Sequence, residues 1–475
     1  MSDEQLVRAL GPWRRPDATL SGALASALRD AVLDGRVRPG GELPAERRLA
    51  TALGVSRGTV TAALERLREG GWVGTRHGSA STMRLPASAV ERIAPLSATG
   101  ETGSGVDLRR AVPAAPREAY LAATRRALDR AAPTLAGHGE PGPGLPELRA
   151  LIAERYTREG LATRPEQVLV TSGARAALTL LAAHLRPRVA AVEVPTYFDA
   201  LTVLRGAGAR LAGCRVTTGG WDLDQLEAAF TAARGGLAYL VPDFQNPTGA
   251  LMPPEVRLAV AELATRHRVT VIADETMRDL DLRHPDLGVP GTCDADLRGP
   301  DLRGPGRPGA PRIRGSVLLG SASKALWGGL RIGWIRASTA LVGELLGHHL
   351  CGPLTPAPMQ QLTAVELLDD MEPVLDARRA ELRRQRDHLS GLLAGSDRWS
   401  FAVPPGGLAL WLRLTSARAD TVVERARERG VELAPGPRFA ADAGLTRHLR
   451  VPYTPPVHVL DEVAGVLTSA AAFTM

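Results

Sequence analysis

The sequence predicts an α/β protein in two parts. One is a small helix-rich head. The other is a larger body on a mainly parallel sheet with covering helices and a small α+β subdomain. Three observations predict this. Residues 1–85 carry two closely spaced helical patterns followed by short strand-like runs. Residues 86–112 are rich in Ala, Ser, Gly and Thr, without a sustained apolar period, as expected of a linker. From 113 to 475, helical patterns alternate with short apolar runs, which argues for strand–helix units.

Composition bounds what the parts can do. A chain of 475 residues has room for two or three domains, and 44% hydrophobic with 23% charged residues is ordinary for a globular protein. A net charge of +7 permits contact with a polyanion. Cys214, Cys293 and Cys351 have no metal-ligand spacing, so no metal site is expected and a reducing compartment is. No run of about 18 apolar residues and no leader pattern occurs, which points to a cytoplasmic protein with no membrane partner.

In the head, Leu49, Ala50 and Leu53 form one helical face. "GVS" breaks that helix, and Ser56 is placed to cap the next with its side-chain oxygen. Val60, Ala63, Leu64 and Leu67 give the second helix its apolar face, and Gly70-Gly71 ends it. Helix, short turn and helix is the arrangement that presents a recognition helix to a major groove. "WVGTRHGSASTM" then reads as two short strands around a His-Gly turn. Residues 1–85 carry 13 Arg against 9 Asp and Glu, consistent with DNA contact through one face.

"LPAER", "LGVSRGTV" and "GGWV" with "HG" resemble the GntR-type winged helix. The resemblance implies that Arg47 contacts phosphate, that Ser56, Arg57, Gly58 and Thr59 face DNA at the helix start, and that Thr61 lies one turn on. It places His77 and Gly78 at the wing tip. Arg57 at a helix N-terminus could reach a guanine edge or a phosphate. Gly58 departs from family members that carry a side chain there.

In the body, "QVLVTSG", "RVAAVEVP", "GLAYLVPDF", "VTVIADE" and "SVLLGSASK" are Val/Ile/Leu-rich rather than alternating, as strands buried on both faces should be. Residues 284–315 repeat "DLRGP" back to back and are Gly/Pro/Arg-rich, as expected of a surface insertion.

Lys324 is the only lysine among 58 Lys and Arg residues. A lysine amine can lose its proton and condense with an aldehyde, whereas a guanidinium stays charged throughout the accessible range. A lone lysine is also compatible with a structural survivor, so its surroundings decide. "SASKALWGGLRIGW" resembles the lysine segment of fold-type-I pyridoxal-phosphate (PLP) enzymes, the aspartate aminotransferase superfamily. The resemblance implies a Schiff base between Lys324 and PLP. Ser321, Ser323 and Arg331 would lie around the phosphate, with Gly173, Ala174 and Arg175 of "TSGARAAL". It implies that Tyr197 stacks on the pyridine, Asn246 of the N-P-T-G box donates to the phenolic oxygen, and Asp274 holds the ring nitrogen. Arg450 would take an effector's carboxylate.

Two departures stand out. Met277 occupies the place of a hydrogen-bonding tyrosine three residues after the pyridine aspartate. His138 or Gly139 replaces the tyrosine that reaches the partner subunit's phosphate. Weaker cofactor retention, and a raised pKa for the lysine–cofactor linkage, are the expected consequences.

A GntR-type head joined to an aminotransferase-like body is similar to the MocR family of transcription regulators. That resemblance implies a homodimer on paired DNA half-sites, switched by a small amine or amino-acid effector or by PLP itself. A working aminotransferase with a DNA-binding appendage is the competing reading, and a head kept only for dimerisation is a third.

Overall fold

The computed structural model describes residues 3–14, 19–33, 37, 42–74, 81–84, 105–139, 142–283, 311–441 and 444–472. The expected linker at 86–104 and most of the 284–315 insertion, with Cys293, lie outside them. The chain divides into two compact units, Met1–Glu101 and Thr102–Met475.

The first unit contains α1 (Asp3–Leu10), α2 (Leu20–Leu33), α3 (Glu46–Leu53) and α4 (Arg57–Glu69). Strands β1 (Val73–Gly74) and β2 (Thr82–Met83) follow, paired antiparallel with Val73 opposite Met83. Its core joins Leu49, Ala50 and Leu53 of α3 to Val60, Ala63, Leu64 and Leu67 of α4, with Leu24 and Leu28 of α2. Gly54 ends α3 in the left-handed region at φ 62°, where a Cβ would be strained, so the chain turns at once into α4. Ser56 caps α4, its Oγ accepting the Thr59 N–H at 3.1 Å.

The body holds an eight-stranded sheet. Its strands are β4 (Val168–Thr171), β5 (Val189–Val194), β6 (Arg210–Thr217), β7 (Gly220–Trp221), β8 (Leu237–Leu240), β9 (Thr270–Asp274), β10 (Val317–Ser321) and β11 (Gly333–Arg336). Their order is β4-β11-β10-β9-β8-β5-β6-β7. Neighbours from β10 across to β6 pair parallel, while β11 and β7 run antiparallel to theirs. The five strand runs read from the sequence are β4, β5, β8, β9 and β10. Residues of β4, β8 and β10 are all buried, because helices cover both faces. Three strands escape that reading. β7 is only two residues long. β6 is half exposed toward the sheet edge and so lacks the apolar run, and β11 is four residues long inside the lysine segment.

The second layer is a small subdomain. Strands β12 (Trp399–Ser400), β13 (Ala409–Leu414), β15 (Ala434–Pro435) and β16 (His448–Pro452) form an antiparallel sheet in the order β12-β13-β16-β15. Helices Glu372–Leu393 and Val457–Ala470 pack beside it, sharing a core of Leu382, Leu389, Leu410, Leu460 and Val463.

One boundary departs from expectation. Residues 105–112, read as the end of the linker, belong to the body. β3 (Val106–Asp107) pairs parallel with β14 (Val431–Glu432), the Val106 and Leu108 amides donating to Gly430 and Glu432 carbonyls at 2.7 and 2.8 Å. Leu108 and Ala111 are buried in the subdomain core. Val106, Leu108, Ala111 and Val112, broken up by Asp107, Arg109 and Arg110, make too short a run to register as a sustained period.

Replacing Ser56 by Ala removes the α4 cap and costs the head about 1 kcal/mol. Hydrogen exchange should show α4 amides losing several-fold protection; unchanged protection would contradict the cap's role.

Candidate functional site

Five of the sequence motifs follow β4, β5, β8, β9 and β10, whose carboxyl ends share one side of the sheet, while Arg450 comes from β16 of the antiparallel subdomain sheet. At the end of β4, Gly173 precedes helix Ala174–Leu185 with φ 111°. Gly333, at the start of β11, lies against it: a Cβ there would stand 2.6 Å from the Gly173 carbonyl carbon and 2.8 Å from the Ala174 nitrogen. Only a glycine lets β11 pass this close. At the end of β5, the Tyr197 hydroxyl donates to Asp199 Oδ2 at 2.8 Å, and Arg175 Nη1 lies 3.8 Å from the same oxygen.

After β8 the chain enters the N-P-T-G turn. Gln245 pins that turn to β5, donating through Nε2 to the Pro195 carbonyl at 2.6 Å and to Glu193 at 3.1 Å. Burial pushes the Glu193 carboxyl up to about 8, against the hydrogen bonds it accepts from Gln245, Trp221 and Val241. Asn246 is thereby held at the mouth of the strand edge, its Oδ1 3.4 Å from Arg450 Nη1.

Asp274 ends β9 and is 4% exposed. Its carboxylate accepts the Tyr239 hydroxyl at 2.5 Å and the Thr276 N–H at 2.9 Å. Burial raises its pKa, opposed by those donors and by Lys324. Ser321 closes β10, accepting the Ser323 N–H at 3.1 Å and donating to the Ile332 carbonyl at 3.1 Å, which ties the lysine turn to the start of β11. Arg331 is exposed with φ 54°, a left-handed conformation uncommon for a side chain of its size.

Lys324 Nζ donates to the Ala111 carbonyl at 2.9 Å. Burial, reinforced by Arg450, depresses its pKa to about 8, with Asp274 pulling the other way. Arg450, on β16, is 2% exposed. It donates through Nη2 to the Arg109 carbonyl at 2.5 Å, and its Nε is buried without a hydrogen-bond partner among the described residues. Its guanidinium carbon lies 4.8 Å from the Phe439 ring centroid, and no carboxylate stands within salt-bridge distance among the described residues. Burial lowers its pKa to about 10. Met277 is buried among apolar side chains beside Phe244 and Leu280, and His138 and Gly139 are exposed.

In the head, Arg47, Ser56, Arg57 and Gly58 are exposed and Thr59 is partly so. The Thr61 hydroxyl is committed to Glu46 Oε2 at 2.8 Å, and the same carboxylate lies 3.9 Å from Arg57 Nε. A Cβ at Gly58 would meet only Ser56 Oγ, at 3.8 Å, so a side chain fits there. His77 and Gly78 lie outside the described residues.

Sequence reasoning missed four of these groups. Tyr239 sits mid-strand in an apolar run, Glu46 carries no signal that separates it from any acidic residue in a first helical turn, and Phe198, which faces Arg438 and Arg450 at 5.1 and 6.0 Å, is indistinguishable in sequence from a core aromatic. The Arg109–Ala111 carbonyls carry no side-chain signature at all.

Lys324 differs from an ordinary lysine, whose amine titrates near 10.5. Its folded pKa is depressed, so the folded state releases this proton first, and stability contributed by this group rises as pH climbs from about 8 to 10.5. Reductive labelling of Lys324 with a small aldehyde, located by peptide mapping, should increase with pH around a midpoint near 8. A midpoint near 10.5 would contradict the buried environment.

Residues 108–467 match the family model for aminotransferase class I and II, and residues 20–82 match that for bacterial regulatory proteins of the gntR family. The chain is 29% identical to the 2-aminoadipate transaminase of Thermus thermophilus, over 66% of this chain and 76% of that one. It is 28% identical to the "Probable rhizopine catabolism regulatory protein MocR" of Rhizobium meliloti, over 89% of this chain and 87% of that one. Among solved structures, LysN, the α-aminoadipate aminotransferase of Thermus thermophilus, complexed with N-(5'-phosphopyridoxyl)-L-leucine, superposes with a TM-score of 0.68 at 25% identity, covering 81% of this chain and 97% of that one. No described helix is long and apolar enough to cross a membrane. The body's cofactor is pyridoxal phosphate, and the chain belongs to the class I and II aminotransferase family as a MocR-type transcription regulator, with a GntR-type DNA-binding head.

Proposed function

We propose that the body reports the state of its cofactor site to the head through residues 105–112, in response to an amino-acid effector or to PLP occupancy itself. One observation carries this. Lys324 and Arg450, the groups expected to take the cofactor and the effector's carboxylate, both donate to the backbone at 109–111, where the connection from the head enters the body.

The residues fit the cofactor. The amides at Gly173 and Ala174, with Arg175, Ser321, Ser323 and Arg331, would hold the phosphate at a positive helix end. The left-handed backbone at Arg331 costs about 1–3 kcal/mol, which aiming its guanidinium at a phosphate would justify. Tyr197 would flank the pyridine, Asn246 the phenolic oxygen and Asp274 the ring nitrogen, with Lys324 as the covalent anchor. A cationic nitrogen there would offset the burial that raises Asp274. When bound, PLP supplies an aldehyde carbon and an electron-withdrawing ring.

The chain's own groups then change partners. An engaged Lys324 loses the donor it gives to Ala111. Arg450 exchanges a neutral carbonyl for a carboxylate, which its fork binds more strongly. Both changes loosen residues 109–111, and the effector shifts the equilibrium by its differential affinity for the two states. The regulator acts in the cytoplasm as a homodimer whose two heads read paired half-sites. Leu121 and Leu128, 42% and 60% exposed one heptad apart on helix Arg117–Asp129, support an uncovered apolar face for a second subunit.

Lys324→Ala should keep salt-sensitive DNA binding but lose the response to PLP plus amino acid. In the unmodified protein that response should change operator affinity by about 5- to 150-fold. A response retained in Lys324→Ala would contradict the proposal, and transamination at about 1 per second or faster would favour the enzyme reading.

A further inference from the structure

We propose that Arg438 forms a second anion seat beside Arg450, so that the effector is an α-amino dicarboxylate rather than a monocarboxylic amino acid. This rests on the reading of Arg450 as the seat for the first carboxylate.

Two guanidinium groups converge on one aromatic ring. The Arg438 carbon lies 5.1 Å from the Phe198 ring centroid and the Arg450 carbon 6.0 Å from it. They arrive on different elements, Arg438 on the 3-10 turn Gly436–Phe439 and Arg450 on β16. Phe439 packs edge-on to Phe198 at 5.6 Å and carries Arg450 on its own face at 4.8 Å, so the aromatic pair fixes where both cations stand.

Neither cation is neutralised. Among the described residues no hydrogen bond or salt bridge engages the Arg438 side chain. The carboxylate that acts on it is Asp199, which already accepts the Tyr197 hydroxyl and lies 3.8 Å from Arg175. Arg109 adds a further positive charge, but it is paired with Asp107 at 2.9 Å. Burial lowers the pKa of Arg438, and Arg438 in turn lowers that of Arg450, so the two guanidiniums destabilise each other. Stacking on Phe198 alone would explain one cation. It does not explain a second, buried one with an orphaned Nε. A phosphate held at Gly173 and Arg331 would leave both charges unspent, and one carboxylate would meet only Arg450.

The test uses the full-length, PLP-loaded protein and its absorbance on titration with L-aspartate, L-glutamate and L-2-aminoadipate, against L-glutamine and L-norleucine. At least one dicarboxylate should bind tenfold or more tighter than the neutral compounds. Arg438→Gln should abolish that gap while leaving the affinity for norleucine unchanged, and Arg438→Lys should restore part of it. Arg450→Gln should weaken every ligand. Equal affinities in the unmodified protein, or Arg438→Gln weakening norleucine and glutamate alike, would overturn the second seat. Binding of norleucine without any dicarboxylate preference would also sink it, yet leave the Arg450 reading standing. Arg450→Gln without effect would remove the foundation for both.

Discussion

The structure depends on how two cations are kept inside it. Lys324 and Arg450 are drawn out of water by the sheet edge and the subdomain, which costs several kcal/mol per ion even after relaxation. Their compensation is modest: hydrogen bonds to the backbone carbonyls of Ala111 and Arg109, each worth about 1.5–3 kcal/mol when the donor is charged. A neutral carbonyl offsets only part of the burial. A better partner for either cation would take it from the carbonyl of Ala111 or Arg109, in the segment 105–112, a strap that borders the site.

Behind this soft arrangement stands a rigid one. Asp243 and Arg257 form a buried pair at 2.8 Å, and Arg278 reaches Asp243 at 3.1 Å. Arg312 joins Glu275 to Glu159 at 2.7 and 2.6 Å. Each carboxylate here faces an arginine, and Glu159 is held down at about 2 despite its burial. Glu275 adjoins Asp274, so the network fixes the end of β9. Arg378 fixes the other side, its guanidinium bonded to the carbonyls of both Ala114 and Leu326, beyond the strap and beyond the lysine turn. The proposed signal would therefore run through the strap between these anchors.

Much of this was legible in the sequence, for a physical reason. Strands buried on both faces must be continuously apolar, so β4, β5, β8, β9 and β10 announced themselves, and the chemistry-bearing residues stood directly after each run. The head was legible because Leu49, Leu53, Val60 and Leu64 keep helical spacing around a capped turn. What stayed hidden lacked a local pattern. The strap acts through carbonyl oxygens, which any residue supplies. Tyr239 belongs to its strand's apolar run and reveals its hydroxyl's role only when β9 is laid beside β8. Arg438 is one arginine among many until Phe198, distant in sequence, brings it next to Arg450. Thr61 lies one turn into α4, and the hydrogen bond its hydroxyl gives to Glu46 across the turn leaves no mark in the spacing.

The most direct test of the strap is amide exchange at Val106 and Leu108, whose N–H groups pair with the Gly430 and Glu432 carbonyls. If Lys324 and Arg450 hold this segment through Ala111 and Arg109, loading the protein with PLP and a binding amino acid should speed exchange at these two amides, while those of β9 stay unchanged. Exchange at Val106 and Leu108 that is the same, or slower, with the site loaded would contradict the account.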